Sequence, residues 1–356
     1  MQSKNLKRII MKKLYALIFA LAFCLPTLVN AQGCDEPSDE GVNVFGFIQP
    51  KYQYNEHSAN DDTNTFDFNR ARIGVMGKIP YDISYYVVLE ASPDNTRHDG
   101  DAYLLDAFVT YSRYDFARIS LGSFKSPISL ELNTPCHKLH TINRSRVVEQ
   151  LATPDRDRGF MVLGGADTTL FQYSFAVTNG TGLFEKDNNK TKDYAARVVV
   201  NPHKNFKLGA SYKYGESASA TAGMPDDERT RYGADLQYKN GAFMLQAEYL
   251  YGKDVGSYTT GGGCGEELTV HQGSVKRDGG FLMAMYRFNN NLQPVIKCEF
   301  FDSDKDMGNN TEFCTTYGLN YFLNDWTKIQ ANYVYRAERA DEIDNDIFML
   351  QVTVKF

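Results

Sequence analysis

The sequence has little of several things that define common protein classes. Its 356 residues include one Trp, 11 Pro and six Cys, and so few cysteines exclude a small scaffold stapled by disulfides. The mean hydropathy of −0.43 excludes a bundle of apolar membrane-spanning helices. The 28 Gly and the few Pro residues exclude collagen-like and low-complexity chains.

A basic excess is also missing. Residues 1–31 hold five basic side chains and no acidic ones, so the rest of the chain has 33 basic residues against 44 acidic ones, and its net charge is −11 rather than −6. Nucleic-acid binders need a basic surface to meet phosphates. We therefore expect no nucleic-acid partner.

The N-terminus has the pattern of an export signal. Lys12 and Lys13 precede an apolar run over 14–25, and Val29-Asn30-Ala31 offers a small-residue cleavage site. This order predicts a signal peptide over 1–31, followed by a short N-terminal segment over 32–41. Export would deliver the mature chain to an oxidising compartment.

After residue 40 the chain alternates apolar and polar residues in many short runs, as half-buried strands do. In the run over 206–214, for example, Phe206, Leu208, Ala210, Tyr212 and Tyr214 share one face. About sixteen such runs fit between 42 and 356, among them 159–165, 242–252 and 279–288, with short turns and longer loops in alternation. This arrangement predicts an all-β fold, a 16-stranded antiparallel transmembrane β-barrel over 42–356.

A soluble β-sandwich alternates in the same way. Two features favour the barrel. Tyr and Phe are frequent at the ends of the apolar faces, as the aromatic girdles of membrane barrels require. The other faces carry charge on nearly every strand, which suits a water-filled lumen.

The connection over about 126–158 is too long for a barrel turn, and long loops are often functional. We expect it to fold inward as a constriction loop, because 16 strands otherwise enclose a wide lumen. Residues 143–151 within it have the pattern of a short helix.

Three stretches resemble the phosphate-selective porin O and P family. They are Phe68-Asn-Arg70-Ala-Arg72-Ile-Gly74, then Leu121-Gly-Ser-Phe-Lys-Ser-Pro-Ile-Ser129, then Asn143-Arg144-Ser145-Arg146 with Thr153-Pro-Asp-Arg156-Asp-Arg158-Gly-Phe160. The resemblance covers about 40–356 and implies a Gram-negative outer-membrane porin, usually a homotrimer, with the long loop in its lumen. The terminal Phe356 resembles the aromatic end of barrels that are inserted into the outer membrane. The basic ladder of named members has no residue-by-residue counterpart here.

Strand alternation places more basic than acidic residues on the inner wall, whereas the acids concentrate in loops. Arg forks suit phosphate-like oxygens, and basic rings in a narrow pore favour anions. The predicted pore and constriction residues are Arg70, Arg72, Arg118, Lys125, Lys138, Arg144, Arg146, Arg156 and Arg158. The alternative is that these charges only solvate a wide lumen or fix the shape of a surface loop.

We predict no catalytic residues, because all six His fall in loops or turns and none meets a nucleophile on a rigid wall. Cys136, His137 and His140 supply at most three soft ligands, so we assign no metal and no cofactor. Cys298 and Cys314 lie nearly opposite each other but point to different faces, so we assign no disulfide.

The expected function is a water-filled diffusion channel for small hydrophilic solutes, leaning to anions such as phosphate. Its expected partners are those solutes, outer-membrane lipid, lipopolysaccharide and further copies of the chain. A surface adhesin or structural anchor with a plugged lumen is the alternative, and a barrel enzyme is a weaker one.

Overall fold

The structure is a computed structural model that describes residues 41–56, 62–93, 100–219, 226–260, 269–308, 310–337 and 345–356. Sixteen β-strands fill most of this part of the chain. They are β1 Val42–Asn55, β2 Thr63–Ile79, β3 Ile83–Glu90, β4 Tyr103–Tyr114, β5 Ala117–Lys125, β6 Arg156–Gly164, β7 Phe171–Thr178, β8 Asp193–His203, β9 Phe206–Ser217, β10 Asp227–Asn240, β11 Phe243–Thr260, β12 Thr269–Tyr286, β13 Leu292–Asp302, β14 Thr311–Phe322, β15 Thr327–Ala337 and β16 Ile347–Lys355.

Each strand pairs antiparallel with its neighbours in sequence, and β1 pairs with β16, so the sheet closes into the predicted 16-stranded barrel. Among the described strands, closure leaves no sheet edge with unpaired backbone groups, and a strand in lipid requires this pairing. The turn between β2 and β3 has Tyr81 and Asp82 both at positive φ, as a tight hairpin turn matching the strand twist demands.

The predicted alternation matches the pairing. Leu236 lies opposite Leu208 and Ala247, while Gln237 lies opposite Lys207 and Gln246. The outward face is apolar and exposed, since its members include Tyr212, Tyr232, Leu282, Ile296, Tyr317, Tyr333, Phe348 and Leu350. A continuous apolar belt of this extent is typical of a surface that meets lipid. Among the described residues no helix has the length and apolarity to cross a membrane.

The strand bounds differ most from the sequence prediction at three strands, β6, β11 and β12. Strands β11 and β12 continue to Thr260 and from Thr269, whereas the apolar pattern suggested 242–252 and 279–288. Strand β6 begins at Arg156, so the long connection ends at residue 155 rather than near 158. The predicted signal peptide and the segment over 32–40 lie outside the described residues.

The connection over 126–155, called here the luminal segment, holds three short helical pieces. They are α1 Leu130–Asn133, a 3₁₀ turn Cys136–Lys138, and α2 Arg146–Leu151. The Ser129 hydroxyl accepts a hydrogen bond from the Leu132 N–H at 3.0 Å and so caps α1. The predicted short helix over 143–151 is therefore present as α2.

Candidate functional site

The luminal segment leaves β5 and reaches the wall strands on the other side of the barrel. The carboxylate of Glu248 on β11 accepts hydrogen bonds from the N–H groups of Leu130 and Glu131, both at 3.0 Å. Further along, the N–H of Ile142 donates to Asn332 Oδ1 on β15 at 2.8 Å. These contacts run from β11 to β15, so the segment lies across the interior of the barrel.

Polar wall residues also satisfy the carbonyls of the segment. The Lys328 ammonium donates to the Leu139 carbonyl at 2.7 Å, and the Asn320 amide donates to the His140 carbonyl at 2.9 Å. A loop inside a barrel has backbone groups that must find partners. The inward-facing polar residues of β14 and β15 supply them.

An apolar core holds the segment against β11, β12 and β13. Val147, Val148 and Leu151 of α2 are buried there. Their wall partners are Leu250, Phe281, Met283, Met285, Val295 and Phe301. The lumen face of this part of the wall is therefore apolar because it is covered by protein and not by water.

A charge cluster fixes the end of α2. Arg231 lies 2.7 Å from Asp254, which also pairs with Arg277, and the Arg231 Nε donates to the Leu151 carbonyl at 3.0 Å. Asp254 and Arg277 were not among the predicted residues, because the apolar pattern ended β11 at residue 252 and began β12 at residue 279, whereas both strands continue past these points. The alternation continues through both residues and would have revealed them.

Some of the predicted pore residues converge on one point. Arg72 and Arg144 donate to the sulfur of Cys136 at 3.2 and 3.3 Å. Lys125 and Arg144 both donate to the Leu132 carbonyl. Burial by itself raises the pKa of the Cys136 thiol, but Arg72 and the neighbouring arginines lower that pKa well below its ordinary value. We call Arg72, Lys125 and Arg144 the basic cluster.

Other predicted residues make separate contacts. Arg70 donates to Gln49 and Arg118 to the Gly165 carbonyl. Arg146 pairs with Glu312, while Arg156 pairs with Asp106 and Asp155. Arg158 donates to the carbonyls of Gly182 and Glu185 in the connection after β7. These guanidinium groups are engaged by the protein itself.

Lys138 differs from them, because it lines an open cavity of about 650 Å³, called here the vestibule. The vestibule lies at the end of the barrel where the short turns over 239–243, 288–291 and 323–327 are located. Its basic lining residues are Lys138, Lys239, Arg287, Lys328 and Lys355, and its acidic one is Asp325. No hydrogen bond or ion pair within the described chain engages the Lys138 or Lys239 ammonium.

Two histidines of the luminal segment line the same vestibule. Burial lowers the pKa of His137 to about 4, with help from Lys138 and Lys355. Burial and the nearby Lys328 lower the pKa of His140 to about 4 as well. Both imidazoles are therefore neutral at pH 7, and the positive charge of the vestibule comes from its Lys and Arg residues.

A second cavity, of about 510 Å³, lies between the luminal segment and the inner wall of β1 to β7. Its aromatic lining residues are Phe45, Phe47, Tyr86, Phe108, Phe124 and the terminal Phe356. Lys355 and His137 line this cavity and the vestibule alike. The two cavities thus share a border.

The described residues hold no group of three or more His, Cys, Asp or Glu side chains able to bind a metal ion. Cys298 is exposed and Cys314 is buried, and both are free thiols. Cys298 pairs with Thr315 and Cys314 with Glu299. The two sulfurs therefore lie on opposite faces, as the alternation predicted.

The Gram-negative porin family model matches residues 16–355, so this chain belongs to the Gram-negative porins. Such a protein is a diffusion channel of the outer membrane, which favours a channel over the barrel enzyme considered above. The narrower phosphate-selective family is a proposal, since the match is to the broader family.

Solved structures show the same fold at low identity. The anion-selective porin from Comamonas acidovorans aligns with a TM-score of 0.68 and 13% identity, over 89% of this chain and 100% of that one. Salmonella typhi OmpF, solved with daunomycin, aligns with a TM-score of 0.65 and 12% identity, over 89% and 98%. The trimer form of Vibrio cholerae OmpT gives 0.63 and 12%, over 89% and 99%. No curated protein sequence is significantly similar.

Proposed function

We propose that this porin is a general diffusion channel that prefers anions, with phosphate among its solutes. The observation that carries the proposal is the vestibule, whose lining holds five Lys and Arg residues against one acidic residue. A permeating ion must cross the vestibule as well as pass the luminal segment. The whole chain is acidic, so the preference depends on where the charges lie.

The strength of the electrostatic interaction at each position supports a preference for anions. A unit charge 4 Å from an ion is worth about 4 kcal/mol at an effective dielectric of 20 but about 1 kcal/mol in water. Acids on exposed loops act through bulk solvent, where the Debye length is about 8 Å at physiological salt. Lys138 and Lys239 act inside a cavity walled by protein, so a few cations there outweigh more numerous acids outside.

The basic cluster extends the proposed anion path into the lumen. Arg72, Lys125 and Arg144 lie around the Cys136 sulfur and the Leu132 carbonyl. Two groups offset part of this charge: Glu90, which pairs with Arg72 at 2.7 Å, and Cys136, whose pKa the cluster lowers. We propose the cluster and Lys138 as the anion contacts, and we give Arg156 and Arg158 structural roles.

The mature protein in this proposal begins after a signal peptide over 1–31 and a short segment over 32–41. It works as a homotrimer in contact with outer-membrane lipid and lipopolysaccharide. A structurally similar protein, OmpT of Vibrio cholerae, is described in a trimer form. Crosslinking of the folded protein in outer membranes would test this stoichiometry.

The decisive experiment is the reversal potential of single channels in a KCl gradient at 0.1 M salt or above. Anion selectivity is expected, and it should fall in the Lys138→Gln/Lys239→Gln double variant. Lys204→Gln is the matched control, because Lys204 is exposed in the short turn between β8 and β9, outside the vestibule lining. Cation selectivity in the unmutated channel would refute the preference, and electrical silence would support an anchoring role.

A further inference from the structure

The lumen contains an aromatic ladder formed by Phe45, Tyr86 and Phe108. The ring centroids of Phe45 and Tyr86 are 5.1 Å apart, and those of Tyr86 and Phe108 are 5.2 Å apart. Tyr86 lies directly opposite Phe108, two residues from the buried inward pair of Val88 and Asp106. The three rings therefore share the inner face of the wall and line the second cavity.

One glycine makes room for a ring of this ladder, and another lets the backbone approach closely beside it. A Cβ on Gly74 would lie 2.7 Å from the Phe45 ring, and a Cβ on Gly122 would lie 2.7 Å from the Phe108 Cα on the neighbouring strand. Gly122 also has a φ of +138°, which side chains rarely adopt. Gly74 on β2 thus leaves space for the Phe45 ring on the lumen wall, and Gly122 on β5 allows the close approach of β4 at Phe108.

Charges sit at the border of this apolar surface. Arg72 lies 5.6 Å from the Phe47 ring centroid, and Lys125 and Lys355 line the same cavity. The one acidic side chain in the lining, that of Asp106, is paired with Arg156 at 2.9 Å. A solute in the cavity therefore meets an aromatic wall with cationic groups at its edge.

We propose that this cavity is a binding site for aromatic monocarboxylates of about the size of benzoate. The inference rests on the proposed function, because it names a solute class for the same anion-preferring channel. The ring of the solute would pack on Tyr86 and Phe108 and lose its contact with water. Its carboxylate would face Lys355 and, beyond it, the cations of the vestibule. A small aliphatic anion such as acetate would gain only the contact of its carboxylate with Lys355, because it has no ring to pack on Tyr86 and Phe108.

The test compares benzoate with acetate on the folded full-length protein. Dissociation constants come from saturation-transfer NMR in detergent micelles, with empty micelles as the blank, and from the reduction of single-channel KCl current by each anion. We expect benzoate to bind roughly tenfold more tightly, the lower end of what one apolar group contributes in a hydrophobic pocket.

Variants locate the site. The benzoate preference should decrease in the order unmutated, Phe108→Leu, Phe108→Ser, because the ring contact is first reduced and then replaced by a polar group. Phe175→Ala is the matched control, since that ring is exposed on the lipid face and its loss should leave the preference unchanged. If Phe108→Ser does not fold, the Leu variant and the unmutated benzoate-to-acetate ratio still decide.

Equal affinities for benzoate and acetate would overturn the inference, and so would a preference that Phe108→Leu and Phe108→Ser leave intact. The KCl reversal potential separates the two proposals. Anion selectivity without a benzoate preference refutes the aromatic site alone. Benzoate binding in a cation-selective channel refutes the anion preference of the proposed function.

Discussion

At the scale of single residues, the surroundings of a basic side chain decide whether it stabilises the fold or faces a solute. The side chain of Arg156 is 3% exposed and is held between Asp106 and Asp155. Lys138 is exposed on a cavity wall. The same positive charge therefore has a structural role in the first case and an electrostatic role toward solutes in the second.

Arg156→Gln should destabilise the folded barrel by about 3–5 kcal/mol, because it leaves Asp106 charged, buried and without its ion pair. Reversible urea unfolding in lipid vesicles measures this loss, and the reversal potential should change little. Arg113→Gln is the control, since the Arg113–Asp82 pair is exposed and should be worth at most about 1 kcal/mol. A large selectivity change in Arg156→Gln with normal stability would contradict its structural role.

The histidines of the vestibule give a prediction about pH. The pKa values of His137 and His140 are about 4 in the folded chain, against an ordinary value of 6.5. The unfolded or undocked segment therefore binds more protons below pH 6.5, so the stability of docking is complete above that pH and is lost as the pH falls toward 4.

Open-channel current noise should accordingly stay constant from pH 8 to pH 6.5 and rise as the pH falls toward 4. The His137→Gln/His140→Gln double variant should show a smaller rise, because Gln does not titrate. Identical noise profiles in the two proteins would show that these imidazoles do not govern the docking.

At the scale of elements, α2 is the piece of the luminal segment with the largest apolar contact. Leu151 is fully buried against the wall. Leu151→Ala should cost about 2–5 kcal/mol of docking free energy, so the segment should leave the wall more often. Higher mean conductance and faster proteolysis within 126–155 are the expected results. Leu282→Ala removes the same side chain from the lipid face of β12 and should affect neither measurement.

The elements also show what a sequence can and cannot reveal here. Period-two alternation is a local signal, so strands such as β9 and β10 were predictable with their register. The inward position of the apolar residues Leu250 and Phe281 was not predictable, because the segment that covers them lies about a hundred positions earlier in the chain. The contacts of Arg158 with the connection after β7 were hidden for the same reason, since pairing between distant loops leaves no periodic pattern.

At the scale of the whole molecule, the last residue extends the closure between β1 and β16. The N–H and carbonyl of Phe356 both bond to the backbone of Gly46, at 3.0 and 2.9 Å. Deleting Phe356 should therefore reduce the amount of folded, heat-modifiable protein in outer membranes. Phe356→Tyr, which keeps the backbone bonds and an aromatic ring, is the control. Normal assembly of the truncated chain would contradict this dependence.

The hydrogen bond between Ile142 and Asn332 also implies an order of events during assembly. It joins residues 190 positions apart, and such long-range contacts form late because a large loop must close first. The luminal segment cannot reach its final position until β14 and β15 stand in the sheet. An assembling barrel that still lacks its C-terminal strands could already hold α2 against β11, β12 and β13, but residues 139–142 would have no wall partners, and their docking would be among the last contacts to form.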